Sequence, residues 1–335
     1  MFMFPSLAAM MLFIALPLIS IAYQSLFIEH ERKIMVVETC DPFGCKTENR
    51  VDTEAMAQMR ADAPAGRFNG LGTYVNAAHL AFAEIRRIWG QSPNAATAFG
   101  QIMNLPFYKA LGFTLTYTLA VTPLSIILGF VIALAVKALP DAMRGTITYI
   151  TMLPMIVPSL VGALVLFWMI DSRGVIGSAL QVVFNNPELS LKSSKSLTWI
   201  MMFAYGAWGS APYVFIVLYA GLQTVPRDTL ESAMMDGASR WSRLRHVVIP
   251  HLQPLLTFLT VISIMDNFRV FESILGLNAS AYASSLSILI FNDLRSSDSP
   301  LYGSAAASSM LTILCIAILM FPSMINSWSS FKQKT

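Results

Sequence analysis

Six stretches of the 335-residue sequence are long and apolar enough to cross a lipid bilayer, and this feature constrains the fold more than any other. A spanning helix needs roughly 20 mostly apolar residues. Only 12% of the residues are charged, about half the share usual in soluble domains. The pattern therefore predicts an all-α polytopic membrane protein with six transmembrane helices. The stretches lie at about 4–27, 110–136, 147–170, 197–222, 252–271 and 304–326.

The N-terminal stretch, residues 1–28, is predicted to be a retained first transmembrane helix. A secretory signal peptide begins with a basic region and has a short apolar core. Residues 1–28 contain no Lys or Arg, and their apolar run is long. A cleaved signal peptide is the alternative interpretation, and residues upstream of this start would account for the missing basic region.

The loops between the spans predict the topology. A long hydrophilic loop, residues 29–105, follows span one, and the membrane domain, residues 106–327, includes a polar loop, 227–250, between spans four and five. Short cytoplasmic loops are enriched in Lys and Arg, and three segments on one side share this feature: Lys137 and Arg144, the basic residues of 227–250, and the tail 328–335. That side is predicted to be cytoplasmic, with both termini there. The opposite side also carries Arg173, Lys192 and Lys195, so the bias is moderate.

The external loop contains two cysteines that flank a turn sequence. Cys40 and Cys45 enclose Asp-Pro-Phe-Gly, whose residue types favour turns, and an oxidising compartment would allow a disulfide between them. The alternative is a metal site, but zinc usually takes four N or S ligands, and the only histidines in the loop, His30 and His79, have no recognisable spacing. Short helices are predicted at 52–63 and 77–89, as an outer cap or as a docking surface for a partner.

Motifs of catalysis and nucleotide binding are absent from the sequence. It contains no GxxxxGK[ST], HExxH or GxSxG pattern, so no phosphate-binding loop, metalloprotease site or serine nucleophile is predicted. The net charge of +3 is small and dispersed, which argues against nucleic acid as a partner. We predict a protein that is not an enzyme and that binds no metal or cofactor itself.

The loop 227–250 reads locally as two short helices. Asp228 followed by Glu231 resembles an acidic capping box, Gly237 suits a helix end at positive φ, and Ser239 suits the start of the second helix. In that second helix, Trp241, Leu244 and Val248 are predicted to share one face. These features alone also fit an amphipathic linker at the membrane surface.

This loop resembles the EAA loop of permease subunits from binding-protein-dependent ABC importers, whose pattern is close to EAAxxDGAxxxxxFxxIxLPxLxP. Further segments resemble the same family, including LGTYV at 71–75, FRVFESI at 268–274 and LYGSAAASS at 301–309. The likeness covers about 70–326 and is strongest to the maltose-type or glycerol-phosphate-type larger permease, although the usual GGP after FRVFESI is absent. The loop matches at Glu231, Ala233, Asp236, Gly237, Ala238, Pro250, Leu252 and Pro254.

The resemblance implies a permease subunit of the bacterial inner membrane, forming half of a translocation path for a sugar or sugar derivative. It implies a second homologous permease, two copies of an ATPase subunit that carry ATP and Mg, and an extracytoplasmic solute-binding protein. Contact with the ATPase would fall on the loop 227–250, a coupling helix. The residues assigned to it are Glu231, Ala233, Asp236, Gly237, Ala238, Arg243 and Pro250.

Polar and aromatic residues within spans are candidates for the solute path, because polar groups are costly in the bilayer and aromatic faces suit sugars. These candidates are Tyr205, Trp208, Tyr213, Asn267, Phe271 and Glu272. Interfacial aromatic belts and an Arg269–Glu272 pair are the alternatives. Two other functions stay open: the same family with glycerol phosphate or a polyamine as cargo, and a stand-alone secondary transporter.

Overall fold

The structure is a computed structural model that describes most of the chain. Side chains are not described at 37–41, 44–46, 48, 49, 60 and 323–332. The described backbone covers residues 4–30, 33–41, 44–192, 194–296 and 300–332.

Helices dominate the described chain, and strands occur in its first part. In chain order the first elements are α1 (Phe4–Gln24), β1 (Phe27–Ile28), β2 (Ile34–Asp41), β3 (Gly44–Val51), α2 (Thr53–Asp62), β4 (Arg67–Phe68), α3 (Gly72–Val75), α4 (Phe82–Gln91) and α5 (Ala95–Ile102). The following elements are α6 (Pro106–Ala138), α7 (Asp141–Ile156), α8 (Ser159–Met169), α9 (Val175–Val183), α10 (Lys195–Gln223), α11 (Arg227–Met235), α12 (Arg240–Phe268), α13 (Glu272–Gly276), α14 (Leu286–Leu294) and α15 (Tyr302–Lys332).

The predicted all-α polytopic fold is confirmed. Within the described residues, five helices are long and apolar enough to cross a membrane: α1, α6, α10, α12 and α15. A sixth crossing results if the bent pair α7 and α8 counts as one span. Each of the six apolar stretches of the sequence therefore coincides with a helix or with this pair.

The third predicted span is not one straight helix. Helices α7 and α8 meet at an angle of 92°, and Val157 between them is extended, with φ −78° and ψ 123°. The cause is Pro158, because the ring of a proline disfavours the helical conformation in the residue before it. Pro123, Pro212 and Pro254 lie inside continuous helices, so the break depends on position as well as on residue type.

The chain between α1 and α6 contains two small antiparallel strand pairs, β1 with β4 and β2 with β3. The register places Cys40 directly opposite Cys45, but both side chains lie outside those described, so the disulfide stays a prediction. The helix predicted at 52–63 is present as α2. The helix predicted at 77–89 begins later, at Phe82, because residues 76–81 form a turn in which Ala81 is left-handed, with φ 47°.

The described chain divides into two compact units. The first comprises residues 1–109 with 286–315, and the second comprises 110–285 with 316–335. The apolar core of the second unit joins α6, α10 and α12 through side chains that are almost fully buried, including Val136, Phe215, Leu218 and Leu252. Close packing of this kind holds membrane helices together, because lipid tails are as apolar as leucine and burial alone gives little.

We predict opposite effects of Gly129→Ala and Gly145→Ala on thermal stability. A Cβ at Gly129 would lie 2.7 Å from Val214 Cβ and 2.9 Å from the Phe215 nitrogen, whereas at Gly145 it would meet nothing within 4 Å. Alanine favours a helix over glycine by about 1 kcal/mol, so Gly145→Ala should raise the melting temperature. Gly129→Ala should lower it in the same detergent, because α6 and α10 must separate. Two equal shifts would contradict this account of the core.

Candidate functional site

The first helix of the loop 227–250 is α11, and it ends in a Schellman motif. Gly237 has φ +75°, the Ala238 nitrogen donates to Ala233 O, and the Gly237 nitrogen donates to Met234 O, each at 3.0 Å. The predicted end at Gly237 is therefore confirmed, since glycine adopts positive φ without steric cost. The acidic capping box is wrong: Pro226 holds the cap position and Asp228 lies in the first turn, where its charge still complements the helix dipole.

The second helix of the loop begins as predicted, but three of its apolar residues differ in how much they are buried. The Ser239 hydroxyl accepts from the Ser242 nitrogen at 3.2 Å. Trp241 is 69% exposed, whereas Leu244 is partly buried and Val248 is buried. The three residues therefore differ in exposure, and residues 244–248 form a π-turn, which adds a residue to the turn and shifts the helix register after Leu244.

The loop is fixed to the core on one side and exposed on the other. Leu230, Leu244 and Val247 pack against the apolar core of the second unit. On the open side, Met235 is 89% exposed and precedes Asp236 in the chain. Its exposure and that of Trp241 are features that sequence reasoning missed. Among the residues assigned to coupling, Glu231, Asp236, Gly237 and Pro250 are exposed, and Ala233, Ala238 and Arg243 are partly buried.

Among these coupling residues, Arg243 is the one with a buried polar atom that has no hydrogen-bond partner among the described residues. Its Nε is shielded from solvent and has no hydrogen-bond partner in the described part of the chain. A shielded donor without a partner is costly.

A cavity of about 610 Å³ lies in the second unit. Its walls come from α6, the α7–α8 bend, α10 and the end of α12 with the segment that follows. The bend contributes Pro154, Val157 and Ser159, and α10 contributes Tyr205 and Trp208. Residues on both sides of the break at Pro158 thus line one recess. The volume falls in the range of small-molecule sites.

Five of the six residues predicted for the solute path line this cavity: Tyr205, Trp208, Asn267, Phe271 and Glu272. The sixth, Tyr213, packs against the apolar core of the unit instead. It lies on α10 eight residues beyond Tyr205, which places it further along the helix than the cavity reaches. Sequence reasoning missed the bend residues and Tyr117, although Pro158 was a visible signal for the bend.

The charged groups of the cavity do not pair as expected. Arg269 NH2 lies 2.7 Å from Asp266 Oδ1, one helical turn back, so the proposed Arg269–Glu272 pair is wrong. Arg269 is the C-cap residue that follows α12, and from that position its side chain contacts the carboxylate of the preceding turn. Glu272 is exposed and takes part in none of the ion pairs found among the described residues. The cavity therefore carries one uncompensated negative charge.

The basic residues after α8, which weakened the charge bias of the sequence, are partly neutralised. Lys192 Nζ lies 2.8 Å from Asp171 Oδ2 and 3.4 Å from the centroid of the Phe167 ring. The hydrogen bond from Lys192 lowers the pKa of the Asp171 carboxyl, with a further contribution from the Arg173 backbone nitrogen. Lys195 Nζ lies 4.9 Å from the Trp199 ring centroid, a distance typical of a cation–π contact.

We predict that Asn267→Ala and Trp208→Ala differ in their effect on stability. Asn267 is 6% exposed, and its Nδ2 donates to Thr122 Oγ1 at 3.0 Å, joining α12 to α6. Interhelical hydrogen bonds of this kind contribute about 0.6 kcal/mol on average in membranes, up to about 1.7. Asn267→Ala should therefore lower the melting temperature. Trp208 is 47% exposed, and Trp208→Ala should leave the melting temperature nearly unchanged. Equal losses of melting temperature in the two variants would contradict a structural role for Asn267 that Trp208 does not share.

Comparison with known proteins gives several similar sequences. The chain is 28% identical to the trehalose/maltose transport system permease protein MalF of Thermococcus litoralis over 63% of this chain and 71% of the relative. It is 35% identical to the trehalose transport system permease protein SugA of Mycobacterium tuberculosis over 34% and 37%. It is 28% identical to the maltodextrin transport system permease protein MdxF of Bacillus subtilis over 64% and 54%. The chain thus spans about a third to a half of the last two relatives.

The fold is similar to that of a chain in a bacterial ABC transporter that imports the acidic polysaccharide alginate. The TM-score is 0.61 at 19% identity, over 83% of this chain and 97% of that chain. A sequence profile described as "binding-protein-dependent transport system inner membrane component" matches residues 125–327. That match includes the loop 227–250 and most of the cavity. It covers more than half of the sequence, and the chain therefore belongs to this family of transport-system inner membrane components.

Proposed function

We propose that the chain is the permease subunit of an ATP-driven importer and forms half of the path for a sugar delivered by an extracytoplasmic solute-binding protein. Family membership supports a transporter rather than an enzyme, and it disfavours the stand-alone secondary transporter. A second homologous permease would complete the path. Two ATPase subunits would hold ATP and Mg. Both termini would lie in the cytoplasm, on the side of the loop 227–250.

The geometry of this loop is the observation that carries the proposal. The short helix α11 ends in a tight turn and is fixed to the core through Leu230. Met235 at its end and Trp241 at the start of α12 are exposed to the surroundings. Large exposed apolar side chains next to charged ones are typical of protein interaction sites, and a helix of this kind suits a groove on a partner. Because the packing is rigid, movement of the partner would be passed to α10 and α12.

A sugar cargo is supported by the relatives and by the cavity. The printed names of the relatives refer to trehalose, maltose and maltodextrin. Trp208 and Phe271 offer aromatic faces, and Ser159 and Ser210 add polar groups, a combination that suits a neutral sugar. The uncompensated carboxylate of Glu272 would repel glycerol phosphate. A polyamine would tolerate this charge, and the names of the relatives are what favour a sugar over it.

We predict that Gly237→Pro and Glu231→Lys uncouple ATP hydrolysis from transport. Proline fixes φ near −65°, which is incompatible with the +75° of Gly237. Lysine reverses the charge that Glu231 presents to the ATPase. Solute uptake should fall about tenfold or more, the change that a lost interaction of 1.4 kcal/mol produces, while the chain still inserts in the membrane. Uptake and ATPase rates of the reconstituted complex measure the two effects separately.

Two substitutions serve as controls for this test. Asparagine tolerates the left-handed region, so Gly237→Asn should retain transport. Glu188→Lys makes the same charge change at another exposed acid, between α9 and α10, and should also be neutral. Parent rates of uptake in both Gly237→Pro and Glu231→Lys would show that this loop does not couple the subunits.

We predict that an ATPase and a second permease co-purify with the tagged chain in mild detergent, and that the complex drives uptake of a neutral sugar. Trehalose, maltose, glycerol 3-phosphate and spermidine serve as labelled probes in membranes that contain the solute-binding protein. Uptake of either disaccharide supports the proposal. Uptake of only glycerol 3-phosphate or only spermidine would be compatible with an importer but would contradict a sugar cargo. A chain that purifies alone and moves solute without ATP would contradict the importer proposal.

A further inference from the structure

His79 is fully buried and has no part in the proposed loop or cavity. It lies in the turn between α3 and α4, where Asn76 Oδ1 accepts hydrogen bonds from the nitrogens of Ala78 and His79. The same oxygen lies 2.8 Å from His79 Nδ1. Because a carboxamide oxygen only accepts, Nδ1 is the donor. The turn therefore holds the imidazole in one orientation.

The opposite nitrogen of His79 meets the first two turns of α15. Nε2 lies 3.0 Å from Ser308 Oγ and 3.1 Å from Ser304 O, more than 220 residues further along the chain. All of these residues belong to the first compact unit. The contact therefore ties the external segment to the beginning of span six.

Two more side chains bind the same end of α15. Ser304 Oγ donates to Asp293 Oδ2 at 2.7 Å, and burial raises the pKa of the Asp293 carboxyl. The Gly303 nitrogen donates to Glu29 Oε1 at 2.8 Å, where a carboxylate also complements the helix dipole. The external segment thus contacts this helix end from Glu29 and from His79, and α14 contacts it from Asp293.

We propose that His79 is a positioning residue that makes the outer end of α15 move together with the external segment, so that docking of the solute-binding protein is communicated to span six. The proposal rests on the proposed function, which supplies the docking partner. The cap joint is defined as His79 and Asn76 with Ser304 and Ser308. It connects an external turn to a helix that runs without a break from Tyr302 to Lys332.

A buried histidine with satisfied hydrogen bonds commonly serves stability alone, so the test needs a measurement that loss of stability does not change. Coupling between two sites is reciprocal. If docking outside reaches span six through His79, then ATP binding at the ATPases must reach the turn 74–81 by the same route. Two amides of that turn report on it, because the Leu80 nitrogen donates to Tyr74 O and the Ala81 nitrogen to Asn76 O, each at 3.0 Å.

The experiment is hydrogen–deuterium exchange on the complex that co-purifies with the tagged chain, in lipid nanodiscs, with and without Mg-ATP and vanadate. In the parent complex we expect nucleotide to change exchange in both 302–311 and 74–81, by at least about fivefold, the lower end of typical allosteric coupling. In His79→Ala and Ser308→Ala the response at 302–311 should persist, while the response at 74–81 falls below about twofold.

Two variants sharpen the result. Ser309 bonds the carbonyl of Ala305 in its own helix, so Ser309→Ala is a matched control for Ser308→Ala and should respond like the parent. His79→Gln retains an amide whose oxygen can accept from Ser308 Oγ, as the ring Nε2 does beside the Nδ1 donor, and it should restore part of the response at 74–81. If His79→Ala does not assemble, Ser308→Ala decides the question.

The outcomes separate the two proposals. A parent complex without ATPase activity would contradict the importer itself. If exchange at 74–81 in an active complex does not change with nucleotide, or changes equally in the parent, His79→Ala and Ser308→Ala, the proposed role of the cap joint is wrong. The importer proposal would be unaffected by that result.

Discussion

The fold depends on one constraint: backbone N–H and C=O groups in a hydrocarbon layer must find partners within the chain. Long helices meet it, and they account for five of the crossings. The bend at Val157 and Pro158 is the exception, and Val157 belongs to the wall of the cavity. Irregular backbone at membrane depth is tolerated where it lines a polar recess. The proline that interrupts the third span and the recess used for the proposed path are therefore two aspects of one feature.

The loop 227–250 and the cap joint use the same physical device on different helices. In each, a short turn is made rigid by its own hydrogen bonds, at Gly237 in one and at Asn76 in the other. That turn is then fixed to a long helix by side chains distant in sequence. Rigid turns on long helices suit a transporter, because a displacement at the end of a helix is carried along its length.

Local features of the chain were predictable from the sequence, and contacts between distant residues were not. The spans follow from apolar runs, and the helix end at Gly237 follows from one residue with access to positive φ. Trp241 was predicted to share a face with Leu244 and Val248, but periodicity alone does not tell which residues of a face the rest of the chain covers. Asn267 was assigned to the solute path from its polarity alone, but its amide also bonds Thr122, 145 residues away. His79 carried no local signal, because both of its α15 partners lie more than 220 residues further on.

Helix α1 differs from the other spans in that none of its apolar window is buried within the chain. Its helical form needs the bilayer and the bonds of its own backbone, whereas α10 also depends on shape at residues such as Phe215 and Leu218. We therefore expect α1 and α10 to differ in which amino-acid substitutions they tolerate during evolution. In α1 most apolar residues should be interchangeable within the chain itself, so any position there that resists exchange would mark a neighbour outside it. In α10, a change of one methylene already has a structural cost.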